Sequence, residues 1–240
     1  AEVVAVLTGA GISAESGVPT VRDPDGLWQR FRPEELANVE AFLGNPVLVQ
    51  GWYAHRREVV ERVEPNTGHV ALAELERLVV ARGGAFHLTT QNVDGLHARA
   101  GSEHLVEVHG SLLRSYCIDC ERPASGEETE AIARGEPAGC VGCGGLVRPD
   151  VVWFGEMLPE AAIREAEHAA LSADVYLSIG TSGVVFPAAG LPLAAKATGA
   201  YVAEVNPEPS DLARGFDETV RGKAGAVLPA LLDAVRRAMA

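Results

Sequence analysis

Four cysteines in two Cys-x-x-Cys pairs carry the clearest chemical pattern in the chain. Cys117 and Cys120 form one pair, Cys140 and Cys143 the other, with 19 residues between the pairs. Each pair can fold into a tight knuckle that places two thiolates on one tetrahedral ion, and the spacing matches a structural zinc site. Two disulfides or a redox centre would use the same residues. No secretory signal is visible, however, and thiols in a reducing compartment stay reduced, which favours the metal. Four protein ligands leave no open coordination position. The expected zinc is therefore structural, one per chain, in a cytoplasmic protein.

The second pattern is a series of polar residues placed after apolar, strand-like runs. Thr90-Gln91-Asn92-Val93-Asp94-Gly95-Leu96-His97 follows the run Ala85–Thr89. Gln91, Asn92 and Asp94 bring amide donors, amide acceptors and a carboxylate within four residues, a set suited to a ribose and a carboxamide. Asn92 or Asp94 would serve equally well as a helix N-cap. His109-Gly110-Ser111 follows His104–Val108. Gly180-Thr181-Ser182-Gly183 ends a third run, and Asn206-Pro207-Glu208 a fourth. Each is an ordinary loop alone; four on one sheet edge would make a nucleotide site.

The third pattern is a glycine loop. Val3–Leu7 leads into Gly9-Ala10-Gly11-Ile12-Ser13-Ala14, which fits the strand-then-glycine entry to a dinucleotide pyrophosphate site. On this reading Gly9 permits the turn, Gly11 lets the backbone approach phosphates, and a helix N-terminus faces the anion. A plain strand-to-helix turn has the same residues. An ordinary dehydrogenase would continue into a second strand, with an acid about 20 residues on. Here the pattern breaks at Ser16-Gly17-Val18-Pro19 and runs through Arg22-Asp23-Pro24-Asp25-Gly26, the composition of a flexible lid.

The elements that must hold these residues follow from the remaining pattern. At 240 residues the chain fits one large domain, or a domain with a subdomain. Strand-like runs at 3–8, 85–89, 104–108, 174–179 and 200–205 alternate with helical spacing at 71–81, 160–171 and 228–239. This predicts an α/β fold with a doubly wound, Rossmann-like parallel sheet. Residues 31–65 and 114–145 break the alternation. They are expected to form a smaller helical and zinc-binding lobe. Residues 1–30, 66–113 and 146–240 then make the nucleotide-binding domain. The net charge of −13 argues against nucleic acid as partner, and no run is long enough to cross a membrane. Because Ala1 already stands at a strand edge, the native N-terminus is expected to lie upstream.

Taken in order, the motifs closely resemble those of the sirtuins, the NAD-dependent protein lysine deacylases. The match spans nearly the whole chain: GAGISAESGVPT at 9–20, TQNVDGLHARAG at 90–101, HGS at 109–111 and the four cysteines. RPDVVWFGE at 148–156, GTSGVVFPAA at 180–189 and VNPE at 205–208 complete it. The resemblance implies NAD as co-substrate, held by Gly9, Ala10, Gly11, Ser13, Glu15, Pro19, Arg22, Trp28, Gln91, Asn92 and Asp94 on one side. Gly180, Thr181, Ser182, Asn206, Pro207, Glu208 and Ala224 would hold it on the other. It implies that the acyl-lysine oxygen attacks the ribose anomeric carbon as nicotinamide leaves, near the catalytic Asn92 and Asp94. His109 is the implied general base for a ribose hydroxyl, and the acyl group ends on ADP-ribose. Phe154-Gly155-Glu156 and Gly183-Val184-Val185 are the implied edges for a substrate peptide strand.

Tyr53 and Arg56 refine the substrate. Positions three apart share a helix face, and this charged stretch could simply be a solvated helix. The branch of the family that removes succinyl and malonyl groups is similar here, with a Tyr-x-x-Arg pair in its acyl pocket. An arginine fork holds a carboxylate at two points, and tyrosine adds a hydroxyl. One departure is Val21, where the family usually has phenylalanine; a smaller residue leaves the reacting ribose less covered. The expected partners are acyl-lysine segments of proteins, and the expected state is a monomer. The competing readings are an ADP-ribosyltransferase on the same fold, a non-catalytic NAD- or ADP-ribose-binding zinc module and, less compatible, a dehydrogenase.

Overall fold

The computed structural model describes residues 1–19 and 33–239. Val21, Arg22 and Trp28, and the lid expected around them, lie outside the described residues. Six strands build the main sheet: β1 (Val3–Thr8), β2 (Ala85–Thr90), β3 (Leu105–Glu107), β6 (Val175–Ile179), β7 (Tyr201–Asn206) and β8 (Glu218–Arg221). Their order is β3-β2-β1-β6-β7-β8 and every pairing is parallel. The expected doubly wound sheet is thus present, with the reversal of strand order between β1 and β6. Ligands of such sheets bind beyond the carboxyl ends at that crevice.

Helices cover both faces. α5 (Thr67–Ala81) and α10 (Ala224–Met239) enclose a core of Val4, Val6, Phe86, Leu88, Ile179 and Leu228. α8 (Glu160–Ser172) and α9 (Leu191–Ala197) cover the other face around Leu7, Tyr176 and Val202. Strand alternation explains the split: Val4 and Val6 point one way, Ala5 and Leu7 the other. The helical periodicity of the sequence located α5, α8 and α10. It placed the starts of α5 and α10 four residues too late, at 71 and 228, and Pro229 lies inside α10.

The remaining helices are α1 (Ala10–Ala14), α2 (Pro33–Leu36), α3 (Val39–Gly44), α4 (Pro46–Arg62), α6 (Leu96–Arg99) and α7 (Glu127–Ala133). Asparagine starts three helices. Asn38 accepts from Ala41 N–H, Asn45 from Leu48 N–H ahead of Pro46, and Asn66 from Gly68 N–H. Leu36, Phe42, Val49, Trp52, Tyr53 and Val60 pack as a second core against Leu112, Val151 and Trp153. Full burial of a side chain of the size of Phe42 contributes about 1.5–3 kcal/mol.

Two strands absent from the sequence expectation carry Leu112 and Val151, and Trp153 follows the second of them. β4 (Gly110–Cys117) and β5 (Val147–Val151) form an antiparallel pair outside the main sheet. β4 begins immediately after His109 and ends on Cys117. It therefore ties the reaction loop to the cysteine cluster in one covalent step. A register shift between Ser111 and Ser115, and Pro149 within β5, break the alternation that would have revealed them.

Candidate active site

The first βα turn is held by backbone rather than side chains. Gly9 N–H donates to Ile179 O and Gly11 N–H to Gly180 O, at 3.0 and 2.8 Å. A Cβ on Gly11 would stand 2.7 Å from Gly180 Cα, and one on Gly9 would stand 2.9 Å from Gly180 O. The sequence expectation gave these glycines a turn and a phosphate approach. The structure gives them a crossing of two chain segments, so they bring the loops after β1 and β6 into contact at the strand-order reversal. α1 has only five residues.

Beyond β2, Gln91 N–H donates to Thr8 O, which fixes the loop to β1. Asn92 is buried, and its amide Nδ2 donates to Gly9 O at 3.0 Å and to Ser13 Oγ at 3.1 Å. It is not a helix cap. Asp94 is one: its Oδ1 accepts from Leu96 N–H at 2.9 Å at the start of α6. The same carboxylate also faces the cleft, so the cap and the site coincide. Burial holds the Asp94 carboxyl above the ordinary carboxylate range, opposed by hydrogen bonds from Ser13 and from the backbone.

A polar chain behind these residues sets their proton positions. Asn66 N–H donates to His69 Nδ1 at the start of α5, leaving the ring proton on Nε2, which faces Ser13 Oγ at 3.3 Å. Ser13 Oγ then accepts from both His69 and Asn92. Its own proton is left for Asp94. A parallel chain runs from His97 Nε2 to Thr8 Oγ1 and on to Thr90 Oγ1, each 2.8 Å, and Thr90 Oγ1 accepts from Asn92 N–H. The rings of His69 and His97 lie 4.8 Å apart. Burial pushes their pKa values down to about 4 and about 3, so both are neutral at pH 7. Sequence reasoning missed His69, whose only signal is its place three residues after an asparagine cap.

His109 is half buried. Its Nδ1 meets Gln91 O at 2.9 Å, which holds the proton there and leaves Nε2 as an acceptor, the state a general base requires. Burial lowers its pKa, and the bond to Gln91 opposes that shift. On the facing loop, Thr181 Oγ1 lies 3.3 Å from Gln91 Oε1, and Asn206 Nδ2 donates to Thr181 O at 2.8 Å. Gln91 Nε2 is buried and has no partner among the described residues, a donor that a bound hydroxyl-rich ligand would satisfy.

Ala10, Ser13, Val18, Pro19, Gln91, Asn92 and Asp94 line a cleft of about 210 Å³, and Trp52, Arg56 and Leu112 close its other side. Ser182 is half buried after β6, and Pro207 and Glu208 are exposed after β7. Arg221 Nη1 binds Glu208 at 3.1 Å. Ala224 is buried at the start of α10. Beside it the Glu15 carboxylate accepts from Gly225 N–H at 3.0 Å, so Glu15 is engaged with the helix end. These residues fit a nucleotide: amide donors, an orphaned amide and a glycine crossing converge at the sheet's ligand edge.

Tyr53 departs from expectation. Arg56 lines the cleft, but Tyr53 lies one layer deeper, about 1 % exposed. The α4 turn explains this: position 53 faces the second core, whereas the longer Arg56 lies over the rings of Trp52 and Tyr53 at 4.9 and 5.7 Å. Trp153 Nε1 donates to the Tyr53 hydroxyl at 2.8 Å. The Glu156 carboxylate is also engaged internally, paired with Arg148 at 2.5 and 2.9 Å and accepting from Trp153 N–H. Its carboxylate is thus structural. Phe154 and Val184 are exposed on two loops, at 53 % each, and Gly155 has φ +87°.

The four cysteine sulfurs lie within 4.8 Å of one another, with Cys117–Cys143 at 3.4 Å and Cys120–Cys140 at 3.7 Å. A disulfide would bring sulfurs to about 2 Å. Four thiolates about 2.3 Å from one zinc stand about 3.8 Å apart, close to what is found. Gly142 N–H and Gly145 N–H point at the Cys140 and Cys143 sulfurs. The Arg122–Glu128 ion pair, absent from the sequence reading, braces the cluster from α7. Glu128 also accepts from Ser125 N–H and Val141 N–H.

Comparison with known proteins follows the same outline. The Sir2 family model matches residues 9–187. A protein of Pyrobaculum aerophilum named NAD-dependent protein deacylase 2 is 52 % identical over 238 residues, 97 % of this chain and 90 % of that protein. The NAD-dependent protein deacylase of Thermus thermophilus is 54 % identical over 209 residues, 87 % of this chain and 81 % of that one. A solved Sir2 homolog–NAD complex superposes with a TM-score of 0.91 at 47 % identity, covering 100 % of this chain and 91 % of that one. A Sir2 mutant bound to a p53 peptide and NAD superposes with a TM-score of 0.84 at 29 % identity, covering 98 % and 93 %.

Proposed function

The chain belongs to the Sir2 family, and on that premise we propose that it removes acyl groups from protein lysines with NAD as co-substrate. The supporting observation is the convergence on one cleft of Asn92, Asp94 and Ser13, with His109 held by Gln91 in its acceptor tautomer. Bound NAD supplies the ribose carbon that the acyl oxygen attacks, and nicotinamide as leaving group. Asn92 and Asp94 receive the carboxamide end. Gln91 Nε2, orphaned in the structure, donates to a ribose oxygen. His109 Nε2 takes a ribose hydroxyl proton, and Nδ1–H on Gln91 O stabilises the imidazolium that forms. The activated hydroxyl attacks the acyl carbon, the lysine amine leaves with its C–N bond broken, and one water supplies the remaining oxygen, so that the acyl group ends on ADP-ribose. Cys117, Cys120, Cys140 and Cys143 hold a structural zinc that supports the lobe and takes no part in the chemistry.

Arg56 in the cleft wall extends the reading to acidic acyl groups. A guanidinium resting on two aromatic rings is preorganised for a carboxylate, so succinyl- and malonyl-lysine join acetyl-lysine as substrates. Phe154, Gly155 and Val184 offer the loops between which the peptide is laid. The test incubates protein and NAD with acetyl-, malonyl- and succinyl-lysine peptides and resolves the products by mass spectrometry. Acyl-ADP-ribose, free nicotinamide and unmodified lysine are expected. Transfer of ADP-ribose to protein without acyl loss would instead identify an ADP-ribosyltransferase.

A further inference from the structure

We propose that Trp153 is a positioning residue for acyl choice: its indole N–H aims the Tyr53 hydroxyl so that the phenol proton serves an acidic acyl group beside Arg56. The inference rests on the acidic-acyl reading above. It starts from one hydrogen bond, Trp153 Nε1 to Tyr53 Oη at 2.8 Å between two fully buried side chains. An indole N–H only donates, so the phenol oxygen is the acceptor. The phenol proton must then point away from Trp153. Among the described residues it meets no acceptor, and the bond from Trp153 is the one hydrogen bond the phenol makes with them. A buried O–H in that state lacks an acceptor that a ligand can supply.

The surroundings select the ligand. The Tyr53 ring underlies the Arg56 guanidinium at 5.7 Å, and Arg56 lines the cleft. A cation and an uncommitted O–H side by side make a site for a carboxylate, which accepts from both. A neutral acetyl group has no oxygen beyond its amide to offer them. The hydroxyl lies one layer behind the cleft surface, so only an acyl chain that enters the wall beside Arg56 reaches it.

Trp153 is itself rigidly held. Arg148 Cζ lies 3.4 Å from the centroid of its ring, and Phe42 packs on it at 5.2 Å. Its backbone N–H donates to Glu156, whose carboxylate also binds Arg148. The WFGE segment therefore has two consecutive functions. Trp153 faces inward and aims the phenol, while Phe154 is turned out to solvent.

Three variants test this: Trp153→Phe, Tyr53→Phe and the double substitution, each assayed with NAD on acetyl- and succinyl-lysine peptides. Zinc content and thermal unfolding confirm the fold. Trp153→Phe keeps the ring and removes the donor. It should lower the succinyl-to-acetyl ratio of kcat/KM by about ten-fold, mainly through the KM of the succinyl peptide, because the phenol is no longer aimed at the charged carboxylate. Tyr53→Phe should lower it as much, and the double variant no further than Tyr53→Phe alone. A ratio unchanged in Trp153→Phe, or losses that multiply in the double variant, would overturn the proposal. If Trp153→Phe does not fold, Tyr53→Phe decides alone: an unchanged ratio overturns it. A wild-type protein inactive on every acidic acyl peptide overturns the underlying reading instead, so the two failures are distinct.

Discussion

Gly11 N–H donates to Gly180 O at 2.8 Å, joining the loop after the first strand to the loop after β6. The two α-carbons pass so closely that neither position tolerates a side chain: a Cβ on Gly180 would stand 2.5 Å from Ile12 N, and Gly180 has φ +62°. This crossing closes the floor of the nucleotide crevice. It also explains why two glycines follow β1, with no appeal to phosphate.

Gly11→Ala should therefore act through backbone displacement. The new methyl meets the α-carbon of Gly180 at 2.7 Å, and backbone cannot rotate aside as a flexible side chain can. Overpacking of this kind costs about 1–3 kcal/mol. Urea denaturation should show that loss, and KM for NAD should rise more than KM for the acyl peptide. Unchanged stability together with unchanged NAD binding would mean that the two loops separate freely.

The contrast between what the sequence disclosed and what it hid follows from contact distance along the chain. β1, β2, β6 and β7 were legible because buried parallel strands read as continuous apolar runs. The cysteine cluster was legible because its spacing is itself the geometry. β4 and β5 were hidden: GSLLRSYC and VRPDV carry arginines and a proline, and the pair bends at a register shift. β8 is four residues with none buried. The partners of buried charges were equally invisible. Glu76 accepts from Glu103 N–H and His104 N–H, 27 and 28 residues away, and Arg57 donates to Leu112 O, 55 residues away. Tyr53 and Arg56 show the limit of helix spacing. Three residues apart gave a shared side, but the packing of α4 on the WFGE segment decided which of them reached the cleft.

His109→Ala should abolish turnover and leave NAD binding largely intact. Loss of a general base costs about 10²–10⁴-fold in rate. The wild-type pH profile carries a second check. Burial lowers the His109 pKa below the ordinary imidazole value, and the base acts when neutral, so the acid limb of kcat/KM should be centred below pH 6.5. An acid limb centred above pH 7, or near-wild-type turnover in the alanine variant, would remove His109 from the role.

His69 and His97 should make the fold acid-sensitive. Both are neutral when folded, with pKa about 4 and about 3 against 6.5 when exposed. The unfolded chain therefore binds more protons as pH falls below 6.5. Stability is complete above that value and declines as pH drops toward 4 and then 3. Within the window each histidine contributes a slope of about 1.4 kcal/mol per pH unit. His69→Gln preserves a side chain suited to its place in the capping box but does not titrate. Between pH 5.5 and 4 its stability should fall less steeply than that of the wild type by about that amount, read from urea midpoints. Equal slopes would show that His69 is protonated in the folded state.

Metal analysis should find one zinc per chain. Cys117, Cys140, Ile132, Ala138 and Val147 form one small core, so the ion and the lobe fold together. Cys140→Ser should lose the metal, expose the α7 region to protease and depress activity indirectly, since β4 runs from the residue after His109 to Cys117. Chelation of the wild type should reproduce this. Freshly purified protein without zinc, yet folded and active, would overturn the assignment.

Arg56→Met should separate the two classes of substrate. The arginine stem lies over Trp52 and Tyr53, and methionine retains an apolar stem for those rings while removing the charge. What is lost is a charge-assisted hydrogen bond to a distal carboxylate, worth on the order of 1.5–3 kcal/mol, or one to two decades in kcat/KM. Burial lowers the Arg56 pKa while the nearby Tyr53 and Asp94 groups raise it, so a carboxylate brought by the substrate would favour the charged form further. Desuccinylation should therefore drop by that factor, and deacetylation, which brings no such carboxylate, should change little. Equal losses on both peptides would assign Arg56 to support of the α4 face, and no activity on acidic acyl groups in the wild type would remove them from the substrate list.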